Sequence, residues 1–457
     1  MSASLLIGNG FAMLVAALEL ARRGRPVTLL TDGKPLGGHF AGMQIDGQGF
    51  DIGMVMLEEV FPSTTGADLR TYDAGVRNDW TRFGDVASRW MREQVELRRV
   101  PTPTCLLDGK VVPDHLLSNR LEALAGADAP EALPRSDPRH PSHKSEPGAY
   151  DTLSYAEAAT LNHGAALHER FIEPFVRKLL GVSSDSFLAR YHRAAWVPLF
   201  YPETLAKAVR GEPAGLAEYP FWTTPNGFVG QLVLNLREKL AALPNVTLVT
   251  APLQSLKQQA GRWTAVVEGG QSFESNSLAL GLTPDRACLL LGTEPSPPGA
   301  AASVTVLFAK VRAERIAQKH GCMMLLDDEQ AAYRLSDQDA LAGLNPDWHR
   351  VTLEASPQRL VDRHPALSAE AALKLELAAL LGVPLDDESA IQVLKCITAR
   401  NTLVLPTAEQ VARADTASAA FAKAAPCAVL TGSLLGYGVA SLNDQLVQGL
   451  KISEEFA

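Results

Sequence analysis

A glycine turn near the start of the chain has the residue types and the spacing to bind a phosphate group. The apolar run Ser4 to Ile7 is interrupted by Gly8-Asn9-Gly10, a helical apolar pattern follows as far as Arg23, and Pro26 to Thr31 is a second apolar run. The first glycine permits a tight turn, the second lets the backbone approach a pyrophosphate, and the helix start offers N–H groups. The sequence therefore predicts a strand, a turn, a helix and a strand that bind a dinucleotide.

A second glycine pair follows at Gly37-Gly38-His39. Together with Gly8-Asn9-Gly10 it resembles the extended fingerprint of the superfamily that contains FAD-dependent amine oxidases, protoporphyrinogen oxidases, phytoene desaturases and UDP-galactopyranose mutases. In such proteins the second pair lets the chain pass close to the flavin, which requires residues without a Cβ. The resemblance implies FAD as the cofactor. The contacts that it implies in this part of the chain are Gly8, Gly10, Phe11, Ala12, Thr31, Asp32, Gly37, Gly38 and His39.

Two positions depart from the fingerprint. The third glycine, which allows close helix-to-strand packing, is replaced by Met13, and the acidic residue that holds the ribose hydroxyls aligns with Thr31. Asp32 is adjacent but would point to the opposite face if the strand continued that far. A threonine hydroxyl offers one hydrogen bond where a carboxylate offers two oxygens. The departures predict a flavin site with altered contacts.

A further part of the resemblance lies near the C-terminus, where an apolar run ends at Gly432-Ser433 and a glycine-rich stretch leads to Val439. It resembles the closing flavin motif, in which a strand ends in glycine beside the cofactor and the next helix start faces the flavin ring. Ser433 takes the place of the usual acidic residue, and Asn443-Asp444 are predicted to cap the last helix. The resemblance adds to the cofactor contacts Gly432, Ser433, Val439 and, through its main chain after the strand Val246 to Thr250, Leu253.

The substrate side is predicted from more scattered residues. Asp51 and Gly53 form an Asp-x-Gly sequence that in the family precedes residues on the flavin face, and a Tyr-Arg pair lies in a later run of strands, as in the mutase branch. The alternatives are ordinary core for the residues after Gly53 and a surface arginine on a strand. The residues predicted to lie near the substrate are Met54, Met56, Tyr333, Arg334, Leu405 and Tyr437.

Two further groups of residues contain cations or possible metal ligands. A stretch from Phe171 to Lys178 resembles a substrate-domain segment of the family, and cations cluster nearby: Arg177, Lys178, Arg190, His192 and Arg193. If they converged on a cleft they would bind an anionic substrate; otherwise they form a solvated basic helix face. His140 and His143 lie in a loop rich in proline and serine, where solvated side chains are favoured over a metal site.

The composition restricts the classes of protein and partner. The chain has 457 residues, 46% hydrophobic and 20% charged, which predicts a globular fold of two or three domains. A net charge of -9 and the lack of a basic run argue against a nucleic-acid partner. Five scattered cysteines without a CxxC predict neither a disulfide framework nor a zinc site and favour the cytoplasm. No apolar run is long enough to predict a membrane span.

The elements that must position these residues follow from the resemblance. It implies an α/β (α+β) fold with a Rossmann-like FAD-binding domain of the glutathione-reductase type, an interleaved substrate domain and a helical insertion. The expected divisions are residues 1–60, 220–300 and 395–457 for the FAD-binding domain, 61–219 for the mainly helical insertion and 301–394 for the substrate-binding domain.

The resemblance implies a flavoprotein enzyme, an oxidoreductase that oxidises a small organic substrate by hydride transfer to the flavin. Two alternatives stay open. A non-redox flavin mutase acting on a nucleotide sugar is favoured by the cations and Tyr333-Arg334, but Met54, Val55 and Met56 stand where that branch has a histidine. A protein that keeps the fold for a binding role is suggested by the altered residues Met13, Thr31 and Ser433.

Overall fold

The fold combines a parallel sheet with helices on its faces and a second, larger sheet. A computed structural model describes residues 3–58, 74–113, 116, 152–195, 197, 221–292, 300–387, 389–432 and 441–457. The predicted contacts Ser433, Tyr437 and Val439 and the histidines His140 and His143 lie outside these residues. None of the helices described is long and apolar enough to cross a membrane.

The parallel sheet has five strands, in the spatial order Val246–Thr250, Val27–Thr31, Ser4–Ile7, Ser277–Leu280 and Ala428–Leu430. The two central strands from the N-terminal part are buried along their whole length, because their apolar side chains face covering layers on both sides. Along one face the first helix, Phe11–Arg22, packs against the last helix, Leu442–Glu455. The predicted strand, turn, helix and strand are therefore confirmed.

The first and last helices approach unusually closely. A Cβ at Gly449, in the middle of the last helix, would lie 2.6 Å from the Ala12 carbonyl oxygen and from Val15 Cβ. Only a glycine allows the two backbones to come this near. The last helix begins at the N-cap Ser441, whose hydroxyl accepts from the Asp444 amide while the Asp444 carboxylate accepts in return. The prediction that Asn443-Asp444 begin the helix as caps was therefore wrong by two residues, although Asp444 does take part.

The larger sheet is mixed and has seven strands. Its spatial order is Ile391–Val404, Ala301–Arg312, Trp348–Ala355, Ala332–Asp337, Cys322–Leu325, Thr104–Leu107 and Lys110–Pro113. The two long strands at one edge pair antiparallel over most of their length. Strand Ile391–Val404 crosses the predicted division at residue 394, because it pairs with the strand that opens the predicted substrate domain.

Smaller sheets join the two large ones. An antiparallel sheet follows the strand Val246–Thr250 and contains Leu253–Gln259, Arg262–Val267 and Ser272–Ser275. The strands Met43–Ile45 and Gln48–Phe50 form an antiparallel hairpin. A three-stranded sheet contains Leu57–Glu58, Phe221–Thr223 and Arg98–Arg99. The mixed α/β class predicted from the sequence is confirmed by these layers.

The remaining helices cover the sheets or form the middle of the chain. The described α-helices besides the first and last are Ala74–Gln94, Tyr155–His163, Ala165–Leu167, Glu173–Leu180, Gly230–Ala241, Pro284–Leu290, Gln338–Leu341, Pro357–Arg363, Ala369–Leu381 and Ala408–Ala424. A π-helical turn spans His168–Ile172, and 3₁₀ turns span Gly38–Ala41, Ser184–Ser186, Ala189–Ala195 and Ala313–Arg315.

Candidate cofactor and substrate site

The two glycine turns predicted to contact the cofactor lie side by side. The Gly37 amide donates to the Asn9 carbonyl at 2.7 Å, and Gly10 and Gly37 form an isolated parallel bridge. Gly37 has φ +95°, and a Cβ there would clash with the side chain of Val233. Glycine is therefore required at this position by both conformation and space.

The same turns leave room for a phosphate-bearing ligand. At Gly38 an added Cβ would find no atom nearer than Gly10 Cα at 3.9 Å, and both glycines are partly exposed although the elements around them are buried. The first helix starts without a side-chain cap on Gly10 and without an acidic residue in its first turn. Its positive end is therefore not neutralised by a carboxylate, which suits the pyrophosphate of FAD.

The missing third glycine is compensated on the neighbouring strand. A Cβ at Gly281 would lie 3.2 Å from Met13 Cγ, and a Cβ at Gly8 would lie 3.1 Å from Gly281 Cα. Met13 is fully buried, so its side chain fills the space that the glycine at 281 leaves. The helix and the strand can therefore pack closely, because a glycine on the neighbouring strand, rather than one on the helix, provides the space.

Thr31 and Asp32 differ in their surroundings. Thr31 is buried as the last residue of its strand, and its carbonyl accepts from the Ala251 amide at 2.9 Å. Asp32 lies beyond the strand and forms an exposed ion pair with Lys34 Nζ at 2.9 Å. The hydrogen bond with Lys34 is the main reason that the pKa of Asp32 lies below its usual value. The carboxylate is therefore an exposed, ion-paired group at the strand end.

The other predicted cofactor contacts are spread over two segments. Leu253 begins an antiparallel strand and pairs with Val267. Gly432 follows the last parallel strand, has φ +143°, and donates its amide to Gln448 Oε1 at 3.0 Å. The residues that follow the carboxyl ends of the two strands flanking Ser277–Leu280, or that begin the first helix, share the carboxyl end of the sheet; they are Gly8, Gly10, Phe11, Ala12 and Gly432.

Asp51 links the hairpin to a helix that packs beside the glycine turns. Its carboxylate accepts from the amides of Val229 and Gly230 at 2.9 and 3.0 Å, at the start of the helix Gly230–Ala241. Asp51 is 4% exposed, and this burial raises its pKa to about 7, against the opposing effect of the two amides. The Asp-x-Gly sequence thus has a structural role that the sequence did not reveal.

Glu354 is the residue that sequence reasoning missed. Its carboxylate forms a buried ion pair with Arg334, and a Cβ at Gly53 would clash with it. His39 is accessible, yet surrounding protein lowers its pKa by desolvation, while the charge of Glu354 raises it and that of Arg334 lowers it. His39 therefore lies within electrostatic reach of this pair. The one signal in the sequence was an acidic residue inside an apolar strand, Trp348–Ala355.

Three of the predicted substrate residues belong to one buried apolar cluster, and Met56 packs against it. The cluster contains Met54, Tyr333 and Leu405. The Cys322 thiol donates to Met54 Sδ at 3.0 Å, and burial raises the pKa of Tyr333 well above its usual value. Arg334 follows Tyr333 in its strand, so the charged pair lies at the edge of an apolar region. A low-polarity environment of this kind strengthens electrostatic interactions inside it.

Three of the residues in the predicted cation group, Arg177, Lys178 and His192, have separate local partners. Lys178 is 2% exposed and donates to the carbonyls of Leu325 and Asp327, and burial lowers its pKa to about 7. Arg177 pairs with Glu173 at 2.6 Å, and His192 Nδ1 lies 2.7 Å from the Val197 carbonyl oxygen. Each of these cations has its own local partner. In the described ranges no group of three or more His, Cys, Asp or Glu residues could hold a metal ion.

Solved structures share this fold over nearly the whole chain. A reduced UDP-galactopyranose mutase matches with TM-score 0.66 and 14% identity, over 100% of this chain and 94% of that one. A protein provisionally designated a protoporphyrinogen oxidase, from Exiguobacterium sp. 255-15, matches with TM-score 0.64 and 16% identity, over 100% and 98%. Cyclohexylamine oxidase from Brevibacterium oxydans IH-35A matches with TM-score 0.54 and 15% identity, over 100% and 99%.

No protein-family model matches the sequence, and no curated protein sequence matches it. Identities of this size establish a common fold and no common reaction. The similar structures include oxidases and a mutase, the two enzyme classes that the sequence motifs pointed to. The chain therefore has the fold of the FAD-dependent, amine-oxidase-like superfamily that its glycine turns resemble.

Proposed function

We propose that the chain binds FAD and oxidises a small organic molecule by hydride transfer to the flavin. One observation carries this proposal: the hydrogen bond from Gly37 to Asn9 places the two glycine turns side by side. His39, two residues after Gly37, lies within electrostatic reach of the pair Arg334–Glu354. A phosphate-binding edge and a largely apolar region are thereby joined by a few residues. This is the arrangement that a flavin dinucleotide needs, with phosphates at one end and a reactive ring at the other.

Each part has a separate role. The first helix and the turn at Gly10 would hold the pyrophosphate, and Gly37-Gly38 would let the chain pass the flavin. The bound cofactor would supply the hydride acceptor. The apolar cluster with Met54, Tyr333 and Leu405 would exclude water from the substrate. Glu354 keeps the buried guanidinium of Arg334 neutralised, so this pair adds no net charge to the site.

The mutase alternative has less support from the geometry. A nucleotide-sugar diphosphate needs cations that are free to bind it. Arg334 is 7% exposed and paired with Glu354, and Arg177 and Lys178 are bound to other groups. A mutase is among the structures of similar fold. The experiment below therefore distinguishes mutase activity from oxidation of a substrate.

The test starts from the absorption spectrum of the purified protein. We expect a flavin spectrum, either as purified or after reconstitution with FAD, and bleaching when a substrate amine or alkene is added without oxygen. Gly10→Glu should abolish flavin retention, because the side chain and its charge would meet the pyrophosphate. Gln392→Glu is the control, since it adds a negative charge at an exposed strand position.

Failure of both retention and reconstitution would contradict the enzyme proposal and favour a binding role without flavin. Unchanged retention in Gly10→Glu would mean that the dinucleotide binds elsewhere. Turnover of a nucleotide sugar under anaerobic conditions, without net reduction of the flavin, would support the mutase instead.

A further inference from the structure

The last helix extends two carboxamides toward the dinucleotide-binding edge. Gln445 and Gln448 are three residues apart, so they lie on the same face of that helix. Gln445 Oε1 lies 3.4 Å from the Ala12 amide and 3.5 Å from the position of a Cβ on Gly10. The close packing of Gly449 on the first helix brings the side chain within this reach.

Gln445 thus covers the positive end of the first helix. The Ala12 amide belongs to the first turn of that helix, where no acidic side chain is present. An amide oxygen accepts such an N–H as a phosphate oxygen would, but without a charge. Gln445 Oε1 therefore occupies the acceptor position that a dinucleotide phosphate would take.

Gln448 presents a complementary group. It is 3% exposed, and its Oε1 accepts from the Gly432 amide at 3.0 Å. This bond fixes the orientation of the carboxamide, since a reversed amide would place two donors together. Its Nε2 is buried and has no hydrogen-bond partner among the described residues. A buried donor without an acceptor is costly, and such groups are rare unless a ligand completes them.

We propose that Gln445 and Gln448 form a carboxamide clamp for the diphosphate of the dinucleotide. The inference rests on the proposed function, because it concerns the same cofactor. With the dinucleotide bound, its phosphate oxygens accept the Ala12 N–H in place of Gln445 Oε1. The side-chain NH₂ groups of Gln445 and Gln448 then donate to the diphosphate oxygens. A carboxamide can play both parts because it carries an acceptor and two donors.

The clamp would supply from the last helix contacts that the altered N-terminal unit lacks. Thr31 offers a hydroxyl where two carboxylate oxygens are usual, and Met13 replaces a glycine. Two neutral donors on a buried helix face add hydrogen bonds to an anion without a net charge to desolvate. The clamp is therefore a property of this chain's own residues rather than of the glycine fingerprint.

Gln445→Glu is the decisive variant, because the clamp predicts effects of opposite sign on two measurements. A carboxylate at this helix start should raise the melting temperature of the FAD-free protein, since it accepts from Ala12 and meets the positive helix end. It should also weaken FAD binding at least about tenfold, measured by quenching of flavin fluorescence, because it repels the diphosphate and cannot donate. Gln392→Glu, on an exposed strand position, makes the same charge change and should alter neither value.

A second pair of variants tests Gln448 and the chemical class of the ligand. Gln448→Met keeps the volume but loses the NH₂ group together with the Oε1 that accepts from the Gly432 amide, so FAD affinity should fall about tenfold. Gln445→Ala should weaken FAD severalfold. Adenosine diphosphate, titrated as a competitor of FAD, should lose affinity in the same variants by similar factors, whereas riboflavin, which lacks phosphate, should not.

The outcomes separate the two proposals. Wild-type protein that binds FAD, together with Gln445→Glu and Gln448→Met variants that bind it within twofold of wild type, would overturn the clamp alone. Wild-type protein that binds no FAD would overturn both proposals. A Gln445→Glu variant that loses stability and affinity together would show a merely structural contact, and would also overturn the clamp.

Discussion

The two regions proposed to bind the cofactor and the substrate are held together by different forces. Around Gly10 and Gly37 the contacts are between backbones, through an amide-to-carbonyl bond and the absence of Cβ atoms. Around Arg334 the contacts are between buried charges, with Glu354 as the partner and His39 nearby. The first region depends on shape and the second on charge balance. Substitutions in the two regions should therefore alter the protein for different physical reasons, and four predictions test this.

The largest effect is expected at the charged pair. Glu354→Gln leaves the buried guanidinium of Arg334 without its counter-charge, which should lower the free energy of unfolding by about 3 kcal/mol or more. Urea unfolding of the FAD-free protein measures it. The double variant Arg334→Met/Glu354→Leu removes both charges and should recover most of the loss. A double variant as unstable as the single one would show that packing, and not charge, dominates there.

A smaller loss is expected at the glycine turn. Gly37→Ala combines a residue other than glycine at φ +95° with a clash against Val233, which should cost about 2–4 kcal/mol in the free energy of unfolding. Adding Val233→Ala should relieve the clash but not the backbone strain, and so regain part of the loss. Unfolding curves of the three variants report this, and an unchanged Gly37→Ala would remove the contrast between the regions.

The buried carboxyl of Asp51, at the junction of the two regions, predicts that the stability of the protein depends on pH. Its pKa rises from 3.8 to about 7 on folding, so the folded state binds more protons between these values and stability falls as pH rises from about 4 to 7. Asp51→Asn should abolish this contribution. The stability of the variant relative to wild type should therefore improve with pH, by up to a few kcal/mol. A difference that is constant from pH 4 to 8 would contradict it.

The smallest effect is a shift in the titration of His39. The charge of Glu354 raises the pKa of this imidazole, against the larger effect of desolvation. In Glu354→Gln the pKa should fall further, and in Arg334→Met it should rise. Ring-proton NMR of the folded protein, compared with a His39→Asn variant for assignment, measures both shifts. Equal pKa values in all three proteins would place His39 outside the electrostatic reach of the pair.

The contrast also explains what the sequence could predict. The dinucleotide unit depends on local order, with Gly8, Gly10 and the alternation of strand and helix close in the chain, so its fold was predictable. The packing of Met13 against Gly281 could not be predicted, because those residues meet only through strand pairing between positions 7 and 280. The role of Glu354 could not be predicted for the same reason, since its partners Gly53 and Arg334 come from distant segments.

The residues predicted for the substrate side are brought together to different degrees, for physical reasons. Met54, Tyr333 and Leu405 meet in one cluster because apolar residues from several segments share a core. Arg177 and Lys178 are adjacent in sequence, but they bind different local partners. Closeness in the sequence therefore predicts a turn well but predicts a binding pocket poorly.

The order of strands in the parallel sheet has a consequence for biosynthesis. The strand Ser4–Ile7 pairs with Ser277–Leu280, which in turn pairs with Ala428–Leu430. A ribosome therefore makes the glycine turn at the start and the neighbours that complete its edge hundreds of residues later. Contacts between such distant segments form slowly. Binding of the proposed dinucleotide is thus expected to be a late event, which follows synthesis of the last helix rather than accompanying the emergence of the turn.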